Sequence, residues 1–288
     1  MKPPPFEYHA PTSLDEALEI LDSLGSDAVP LAGGQSLVPL MNLRLARPAN
    51  VVDINRIAGL DQIGVEEGRL TVGPLVRHSQ IEASPEARDE LPILSTVVPF
   101  IGYPAIRHRG TVVGSLAHAD PAAEWPCVAV ALDAEITLRS HGAERVVGAD
   151  GFFTTMLTTV KEPGELLTGV SFRTDFDAFG FYEFARRHGD FAIIAAMVAL
   201  EIEGDSVKGA RVSVAGASDR PLRVAEAEAA IVGRALTPET ADLAGDAAAE
   251  AVEPFEDIHG SSSYRKKLVG VAVGRALRQA GDRTEDRS

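Results

Sequence analysis

The fold assignment of this chain rests on one segment, Ala28-Val29-Pro30-Leu31-Ala32-Gly33-Gly34-Gln35-Ser36-Leu37. Its apolar start predicts a short buried strand, and the residues from Leu37 to Leu45 follow a helical pattern despite Pro39. Two glycines between strand and helix let backbone N–H groups converge, because no Cβ obstructs them. Such a nest is an anion site that suits diphosphate oxygens, and the Ser36 hydroxyl adds a donor. An ordinary Gly-Gly turn is the alternative interpretation of these residues taken alone.

The residues on either side of this segment predict further short elements. Ser13-Leu14-Asp15-Glu16 has capping-box spacing, and leucines then recur at helical intervals as far as Leu24, before Gly25. Downstream, Val51 to Ile54 and Leu70 to Val72 predict strands that are separated by a glycine-containing linker. We place a subdomain boundary near residue 57.

A second glycine segment is Thr111-Val112-Val113-Gly114-Ser115. It belongs to a region rich in Gly, His and Pro, from Gly102 to Pro121, which follows an apolar helical segment from Leu91 to Ile101 and is predicted to be a loop. Loops of that length inside a compact unit are usually functional. The two hydroxyls beside Gly114 are potential donors to phosphate or ribose. A loop that only packs between elements is the alternative.

Three polar residues, His118, Asp120 and Glu124, follow within ten positions. We discount metal binding, because no Cys or second His lies at ligand spacing nearby. A carboxylate bonded to flavin or ribose hydroxyls fits this pattern, and so does a helix cap before Trp125.

The last third of the chain predicts strands followed by helices, which is typical of an α+β unit. Residues 192–203 and 207–215 read as antiparallel strands joined through Gly204-Asp205, and residues 224–231, 238–251 and 262–280 carry helical patterns. Arg186-Arg187-His188-Gly189-Asp190 reads as a charged turn between two apolar strands, with a solvated hairpin tip as its simplest interpretation.

Composition excludes several classes of function. The 288 residues contain 27 Lys and Arg against 42 Asp and Glu, a formal net charge of −15, which repels nucleic acids and anionic membranes. A lone cysteine, Cys127, can form neither an internal disulfide nor a four-thiolate iron–sulfur cluster. The G-x-G-x-x-G, phosphate-loop, H-E-x-x-H and G-x-S-x-G signatures are absent. With no secretory signal and no run of eighteen apolar residues, we expect a cytoplasmic protein.

Together, the two glycine segments resemble the FAD-binding medium subunits of the molybdenum hydroxylases, the carbon monoxide dehydrogenase and xanthine dehydrogenase family. The resemblance extends over the full length and is carried by residues 31–41, Asn50-Val51-Val52-Asp53-Ile54, residues 111–121, residues 186–192 and Val214-Ala215-Gly216-Ala217. One departure concerns Val113, because the family commonly reads T-I-G-G-[SN]. A β-branched residue does not easily adopt a positive φ, so an altered contact with the cofactor is expected there.

The resemblance implies an α+β fold in three parts. A two-subdomain FAD-binding domain of the vanillyl-alcohol oxidase (PCMH) type would occupy residues 1–57 and 58–178. Residues 179–282 would form the CO dehydrogenase flavoprotein-like C-terminal domain, with a three-stranded antiparallel sheet and helices.

The resemblance also implies a non-covalent FAD site, with neither a catalytic residue nor a metal on this chain. The first glycine loop would hold the diphosphate, Glu124 would contact the cofactor, and Ile101, Leu167 and Tyr182 would lie near the isoalloxazine. The implied cofactor-binding residues are Val29, Pro30, Leu31, Ala32, Gly33, Gly34, Gln35, Ser36, Ile101, Thr111, Val112, Val113, Gly114, Ser115, Glu124, Leu167 and Tyr182.

By resemblance, the chain is an oxidoreductase component that is inactive alone on organic substrate. FAD would pass electrons from [2Fe-2S] clusters on a small subunit to an external acceptor, and a large subunit would carry the molybdenum cofactor, in a dimer of heterotrimers. Two alternatives stay open: a self-contained flavin oxidase with covalent flavin on His118 or Cys127, and a flavin-free scaffold. The substrate and the acceptor are not identified by the sequence.

Overall fold

The computed structural model describes residues 2–285. The chain begins with a small parallel sheet. The strand order is β1-β3-β2, and both outer strands run parallel to β3. The elements are β1 (Glu7–His9), α1 (Leu14–Leu24), β2 (Ala28–Leu31), α2 (Leu37–Asn42) and β3 (Asn50–Asp53), with 3₁₀ turns at Gly25–Asp27 and Ile54–Arg56. The predicted order of strand, glycine turn and helix is therefore confirmed.

Helix α1 begins where the sequence predicts, although its cap differs in one detail. The Ser13 hydroxyl accepts the Glu16 N–H at 3.2 Å, but the Glu16 carboxylate accepts from the Thr12 N–H at 2.8 Å instead of from Ser13. Helix α2 ends at Asn42, three residues before the predicted Leu45. The reason is that Arg44 adopts a left-handed conformation with φ 60°, which stops a right-handed helix.

The second part of the chain forms a five-stranded antiparallel sheet, of order β4-β5-β10-β6-β7, packed against short helices. Its elements are β4 (Ile63–Glu66), β5 (Arg69–Val72), α3 (His78–Ala83), α4 (Pro85–Glu90), α5 (Ile93–Val97), α6 (Pro104–Arg107), α7 (Val112–His118), α8 (Glu124–Ala131), β6 (Glu135–Ser140), β7 (Ala143–Gly148), α9 (Ala149–Phe152), β8 (Phe153–Thr155), β9 (Thr158–Thr159) and β10 (Leu166–Arg173). The short strands β8 and β9 pair separately.

Two predictions in this part are wrong. The expected linker contains β4, which forms a hairpin with β5 through Glu67 (φ 51°) and Gly68 (φ 72°). The expected loop from Gly102 to Pro121 contains α6 and α7. Helix α7 forms because the Thr111 hydroxyl caps it, accepting the Gly114 N–H at 3.0 Å, and because its apolar face is buried.

The C-terminal part is a sheet of order β11-β12-β13-β14 covered by helices. The predicted three antiparallel strands are present, and the two-residue β14 adds a fourth. The elements are β11 (Ala178–Phe184), β12 (Ile194–Glu203), β13 (Ser206–Ala215), β14 (Leu222–Arg223), α10 (Ala225–Ile231), α11 (Pro238–Ala251) and α12 (Ser262–Glu285). Helix α12 lies directly on β11. The approach is so close that a Cβ on Gly180 would come within 1.8 Å of the Ala276 carbonyl oxygen.

Helix α8 joins the second and third parts of the chain. All eight of its residues are buried, and it packs against β12 and β13. Just before the helix, the Pro121 carbonyl accepts the Gly216 N–H at 2.8 Å. The first residue of α8, Glu124, is thereby held at a fixed place near the end of β13. Within residues 2–285 no helix is long and apolar enough to cross a membrane.

Candidate functional site

The two glycine segments come into direct contact. A Cβ built on Gly33 would lie 2.4 Å from the Arg109 carbonyl oxygen and 2.7 Å from the Gly110 α-carbon. Gly34, with φ 72°, turns the chain between β2 and α2. Only glycine at position 33 permits this approach, so the first turn packs against the residues that lead into the second segment.

A hydrogen-bonded bridge also ties the two segments together. Asn55, which follows β3, donates from Nδ2 to the Ala32 carbonyl at 2.8 Å and more weakly to the Leu31 carbonyl at 3.3 Å. The Arg77 guanidinium donates to Asn55 Oδ1 and to the Arg109 carbonyl, both at 2.6 Å. Asn55 and Arg77 therefore connect the first turn to the second through side chains.

The first turn has the donors that an anion requires. Within the part of the chain that the structure describes, the backbone N–H groups of Gly34, Gln35 and Ser36 donate to no protein acceptor. Arg77 and Arg109 line a second hollow behind Gly33 together with Asp53, so two positive charges and one negative charge lie on this side of the turn. Converging amides near two cations form a site suited to diphosphate oxygens.

A cleft of about 470 Å³ opens between the two segments. Most of the residues implied by the family resemblance line it, including Glu124 and the apolar side chains of Ile101 and Leu167. The implied residues that line the cleft are Val29, Pro30, Leu31, Ala32, Gly33, Gly34, Gln35, Ser36, Ile101, Thr111, Val113, Gly114, Ser115, Glu124 and Leu167. The structure therefore gathers into one cavity residues that are more than 130 positions apart in the sequence.

Two implied residues do not line the cleft. Val112 is the first residue of α7, and its side chain is fully buried in the core. Tyr182 lies on β11 and faces α12, where Arg275 donates to its hydroxyl and stacks 4.8 Å from its ring centre. The packing of α12 on the sheet thus turns Tyr182 away from the cavity.

The expectation that position 113 requires a positive φ is wrong. Val113 lies inside α7, where the backbone is right-handed, so a positive φ is not required of it. Gly114 is the constrained position, because a Cβ there would lie 2.5 Å from Thr111 Oγ1, the oxygen that caps the helix. A valine at position 113 is therefore compatible with the segment, and its side chain contributes to the apolar wall.

Several cleft residues have no signal in the local sequence. His78, Lys161 and Phe191 line the cavity, and Phe191 is 69% exposed at its edge. The turn after β11 reaches the cavity because Gly189, with φ 82°, lies against Gly102. The turn is a solvated hairpin tip, as predicted, since Arg186, Arg187, His188 and Asp190 are exposed, but it also lines the cleft, which only the resemblance of residues 186–192 had indicated.

The cleft is lined by one buried carboxyl group, that of Glu124, and the partly buried Glu183 interacts with it electrostatically. Glu124 is 7% exposed, and burial raises its pKa to about 7, with a further contribution from the charge of Asp120. Burial and the charge of Glu124 raise the pKa of Glu183 to about 9. Within residues 2–285, Glu183 Oε2 has no hydrogen-bond partner. A pKa raised in this way favours the neutral form of the Glu183 carboxyl near pH 7, which limits the negative charge next to Glu124.

The two residues named for covalent flavin attachment differ in their surroundings. His118 lines the cleft, and burial lowers its pKa. Cys127 is fully buried in α8, does not line the cleft, and has its pKa raised to about 12 by burial. A protonated thiol inside the core is not available for attachment to a cofactor. Within residues 2–285, His, Cys, Asp and Glu side chains form no group that could hold a metal ion.

Two protein-family models match the chain. Residues 4–172 match the FAD binding domain in molybdopterin dehydrogenase, and residues 179–280 match the CO dehydrogenase flavoprotein C-terminal domain.

Known proteins align over nearly the whole length. The alpha subunit of the 6-hydroxypseudooxynicotine dehydrogenase complex of Paenarthrobacter nicotinovorans is 40% identical, over 97% of this chain and 96% of that protein. The carbon monoxide dehydrogenase medium chain of Hydrogenophaga pseudoflava is 36% identical, over 97% of this chain and 98% of that protein. A solved structure of carbon monoxide dehydrogenase from Hydrogenophaga pseudoflava superposes with a TM-score of 0.94, at 37% identity, over 98% of this chain and 99% of the matched chain. Quinoline 2-oxidoreductase from Pseudomonas putida 86 gives the same TM-score at 35% identity, over 98% and 99%.

Proposed function

The chain belongs to the FAD-binding medium subunits of the molybdenum hydroxylase family, and on this premise we propose that it holds FAD non-covalently between its two glycine segments and transfers electrons within a multi-subunit enzyme. The observation that carries the proposal is the contact of Gly33 with Gly110, which brings both segments to one cleft. Next to this contact, the backbone N–H groups of Gly34, Gln35 and Ser36 have no acceptor among the described residues, which fits a ligand whose phosphates approach the backbone closely.

Different residues of the cleft bind different parts of the cofactor. The free amides of the first turn bind the diphosphate, and the charges of Arg77 and Arg109 behind it favour an anion. Ile101 and Leu167 supply apolar walls that exclude water from the ring. Glu124 offers an oxygen to a hydroxyl of the cofactor. When bound, FAD supplies the capacity to accept electrons singly and to release them singly or in pairs.

We further propose that the electrons come from [2Fe-2S] clusters on a small partner subunit, and that a large subunit carries the molybdenum cofactor, in a dimer of heterotrimers. Support for clusters on another chain comes from the single cysteine, Cys127. Electrons leave FAD for an external acceptor, and we place the complex in the cytoplasm, where cell fractionation should recover its activity.

Selection of the organic substrate belongs to another subunit in this proposal. Similar medium subunits are named for different substrates: a nicotine 6-hydroxylase subunit is 37% identical, a caffeine dehydrogenase subunit 37%, and a carbon monoxide dehydrogenase medium chain 36%. Comparable identity to all three is expected if this chain contacts only cofactor and partner proteins.

We propose the domain division 1–57, 58–178 and 179–282 within this chain. One matched family model ends at residue 172 and the other begins at residue 179, which supports the second boundary. A separate core cluster that is built mainly from residues 17–60 supports the first. Limited proteolysis, with mass spectrometry of the fragments, tests whether cleavage falls near residues 57 and 178.

The purified full chain provides the test of function. We expect it to bind FAD with a flavin absorption spectrum, to release the flavin on denaturation, and to hydroxylate no organic substrate. When the two partner subunits that co-purify with this chain from its native source are added back, the substrate should reduce the flavin. A chain that stays colourless at saturating FAD, or one that turns over substrate alone, would refute the proposal.

A further inference from the structure

We propose that His78 is a further cofactor-binding residue, whose Nε2–H donates a hydrogen bond to the FAD diphosphate; this inference rests on the proposed FAD site. A hydrogen bond from Trp125 to His78 Nδ1 determines that the ring is protonated at Nε2, and the residue lines the cleft.

The position of His78 is fixed from both sides. It is the first residue of α3, is 4% exposed and lines the cleft. Its backbone N–H donates to the Gly110 carbonyl at 3.1 Å. On its ring, Nδ1 lies 3.0 Å from the indole Nε1 of buried Trp125, and the two rings stack with centres 6.1 Å apart. The imidazole therefore has one orientation in the cleft wall.

The bond to Trp125 determines the tautomer. An indole N–H can only donate, so His78 Nδ1 must accept with its lone pair. Burial, together with the positive charges of Arg107 and Arg77, lowers the pKa of His78 to about 4, so that the ring is neutral near pH 7. A neutral imidazole with a free Nδ1 lone pair carries its hydrogen on Nε2.

The Nε2–H lies where the two glycine segments meet. A Cβ on Gly110 would come within 2.6 Å of His78 Nε2, and one on Gly33 would come within 2.7 Å of the Gly110 α-carbon. Within the described residues, Nε2 has no hydrogen-bond partner, although His78 is almost completely buried. Among the described residues Nε2 does not belong to the fully buried unpaired side-chain atoms, so this N–H opens on the cleft, where a bound ligand can supply its acceptor. At this place, next to the free amides of the first turn, the acceptor is a diphosphate oxygen.

Two substitutions separate the two functions of the ring in the full chain. His78→Asn places an amide oxygen near the Nδ1 position, where it can accept from Trp125, but leaves nothing at the Nε2 position. His78→Gln can place an amide N–H near the Nε2 position but leaves the indole without its acceptor. His141→Asn, in an exposed turn, is the matched control.

The expected results differ for each variant. For His78→Asn, FAD and its fragment ADP should both bind about tenfold to a hundredfold more weakly, which is the loss of one hydrogen bond to a charged group, while the thermal midpoint stays near wild type. His78→Gln should keep most of the affinity but unfold at a lower temperature. In the wild-type chain, long-range ¹H–¹⁵N NMR should show His78 protonated at Nε2, with a resonance that moves when ADP is added.

Specific outcomes overturn the inference. Equal affinity of His78→Asn and wild type for FAD and ADP would do so, as would protonation at Nδ1 or an Nε2–H resonance that ADP does not move. A loss confined to FAD, with ADP unaffected, would overturn the assignment to the diphosphate. The NMR measurements decide the matter if His78→Asn fails to fold. Failure of the proposed function is distinct, because the wild-type chain would then bind no FAD.

Discussion

Gly33 lies against Arg109 so closely that a Cβ on the glycine would be 2.4 Å from the Arg109 carbonyl oxygen. The Arg109 oxygen belongs to the backbone, so no side chain can rotate to relieve the contact. The distance between the two glycine segments, and with it the shape of the cleft, therefore depends on the absence of one methyl group.

Replacing Gly33 with alanine should weaken FAD binding at least tenfold, because the two segments must move apart and the first turn loses its alignment with the cleft. The measurement is equilibrium titration of the full chain with FAD. Gly148→Ala is the control, since Gly148 is exposed and a Cβ there has no neighbour within 4 Å. Wild-type affinity in Gly33→Ala would contradict the close-contact argument.

Asn55→Ala should speed FAD dissociation and lower the free energy of unfolding by about 1–3 kcal/mol. The substitution removes the donor to the Ala32 carbonyl and leaves part of the Arg77 guanidinium unpaired. Stopped-flow displacement of FAD and urea unfolding measure the two effects. Exposed Gln62, whose side chain bonds only to neighbouring Asp61, provides the control Gln62→Ala. An unchanged dissociation rate would show that the bridge does not hold the turn.

Glu183 should make the protein less stable as pH rises. Its folded pKa of about 9 exceeds the value of about 4.3 for an unfolded chain, so unfolding releases a proton between these pH values. The contribution is fully present below about pH 4.3 and is lost as pH rises through about 9, at up to ~1.4 kcal/mol per pH unit. Glu183→Gln should therefore flatten the dependence of unfolding free energy on pH.

Urea unfolding at pH 5.5, 6.5 and 7.5 measures this slope, and exposed Glu250→Gln is the control. Parallel slopes for Glu183→Gln and wild type would mean that Glu183 is ionised in the folded protein.

Phe191→Ala should weaken FAD binding about threefold to tenfold, because the aromatic side chain at the cleft edge is available to contact the flavin. Since Phe191 is 69% exposed, the unfolding free energy should change by less than about 0.5 kcal/mol. Titration with FAD and thermal unfolding test the two statements. Ile258→Ala, at an 88% exposed position that does not line the cleft, should leave both unchanged. Equal FAD affinity of Phe191→Ala and wild type would remove Phe191 from the cofactor site.

Local signals in the sequence were sufficient for much of the fold. Helix α1 has a cap, an apolar face and a terminal glycine, and the hairpin of β12 and β13 has two apolar runs around Gly204-Asp205. Strand β4 and helix α7 were missed because Gly64, Thr111 and Gly114 resemble loop residues when tertiary contacts are unknown. In the structure, pairing with β5 and burial of the α7 face outweigh those preferences.

The site was less accessible to sequence reasoning than the fold. The glycine segments were recognisable because backbone approach demands glycine, but His78 and Phe191 reach the cleft through contacts between elements distant in sequence. No periodicity encodes such contacts. Tyr182 shows the converse, because its place in the cleft was implied by resemblance alone, and the packing of α12 decides its direction.

The Asn55–Arg77 bridge has a consequence for the life of the protein in a cell. All of its bonds join protein to protein, so the alignment of the two glycine segments uses no bond to the cofactor. If the chain binds FAD as proposed, subunits made under riboflavin shortage would fold without their flavin. A later supply of the vitamin would then restore activity without new protein synthesis.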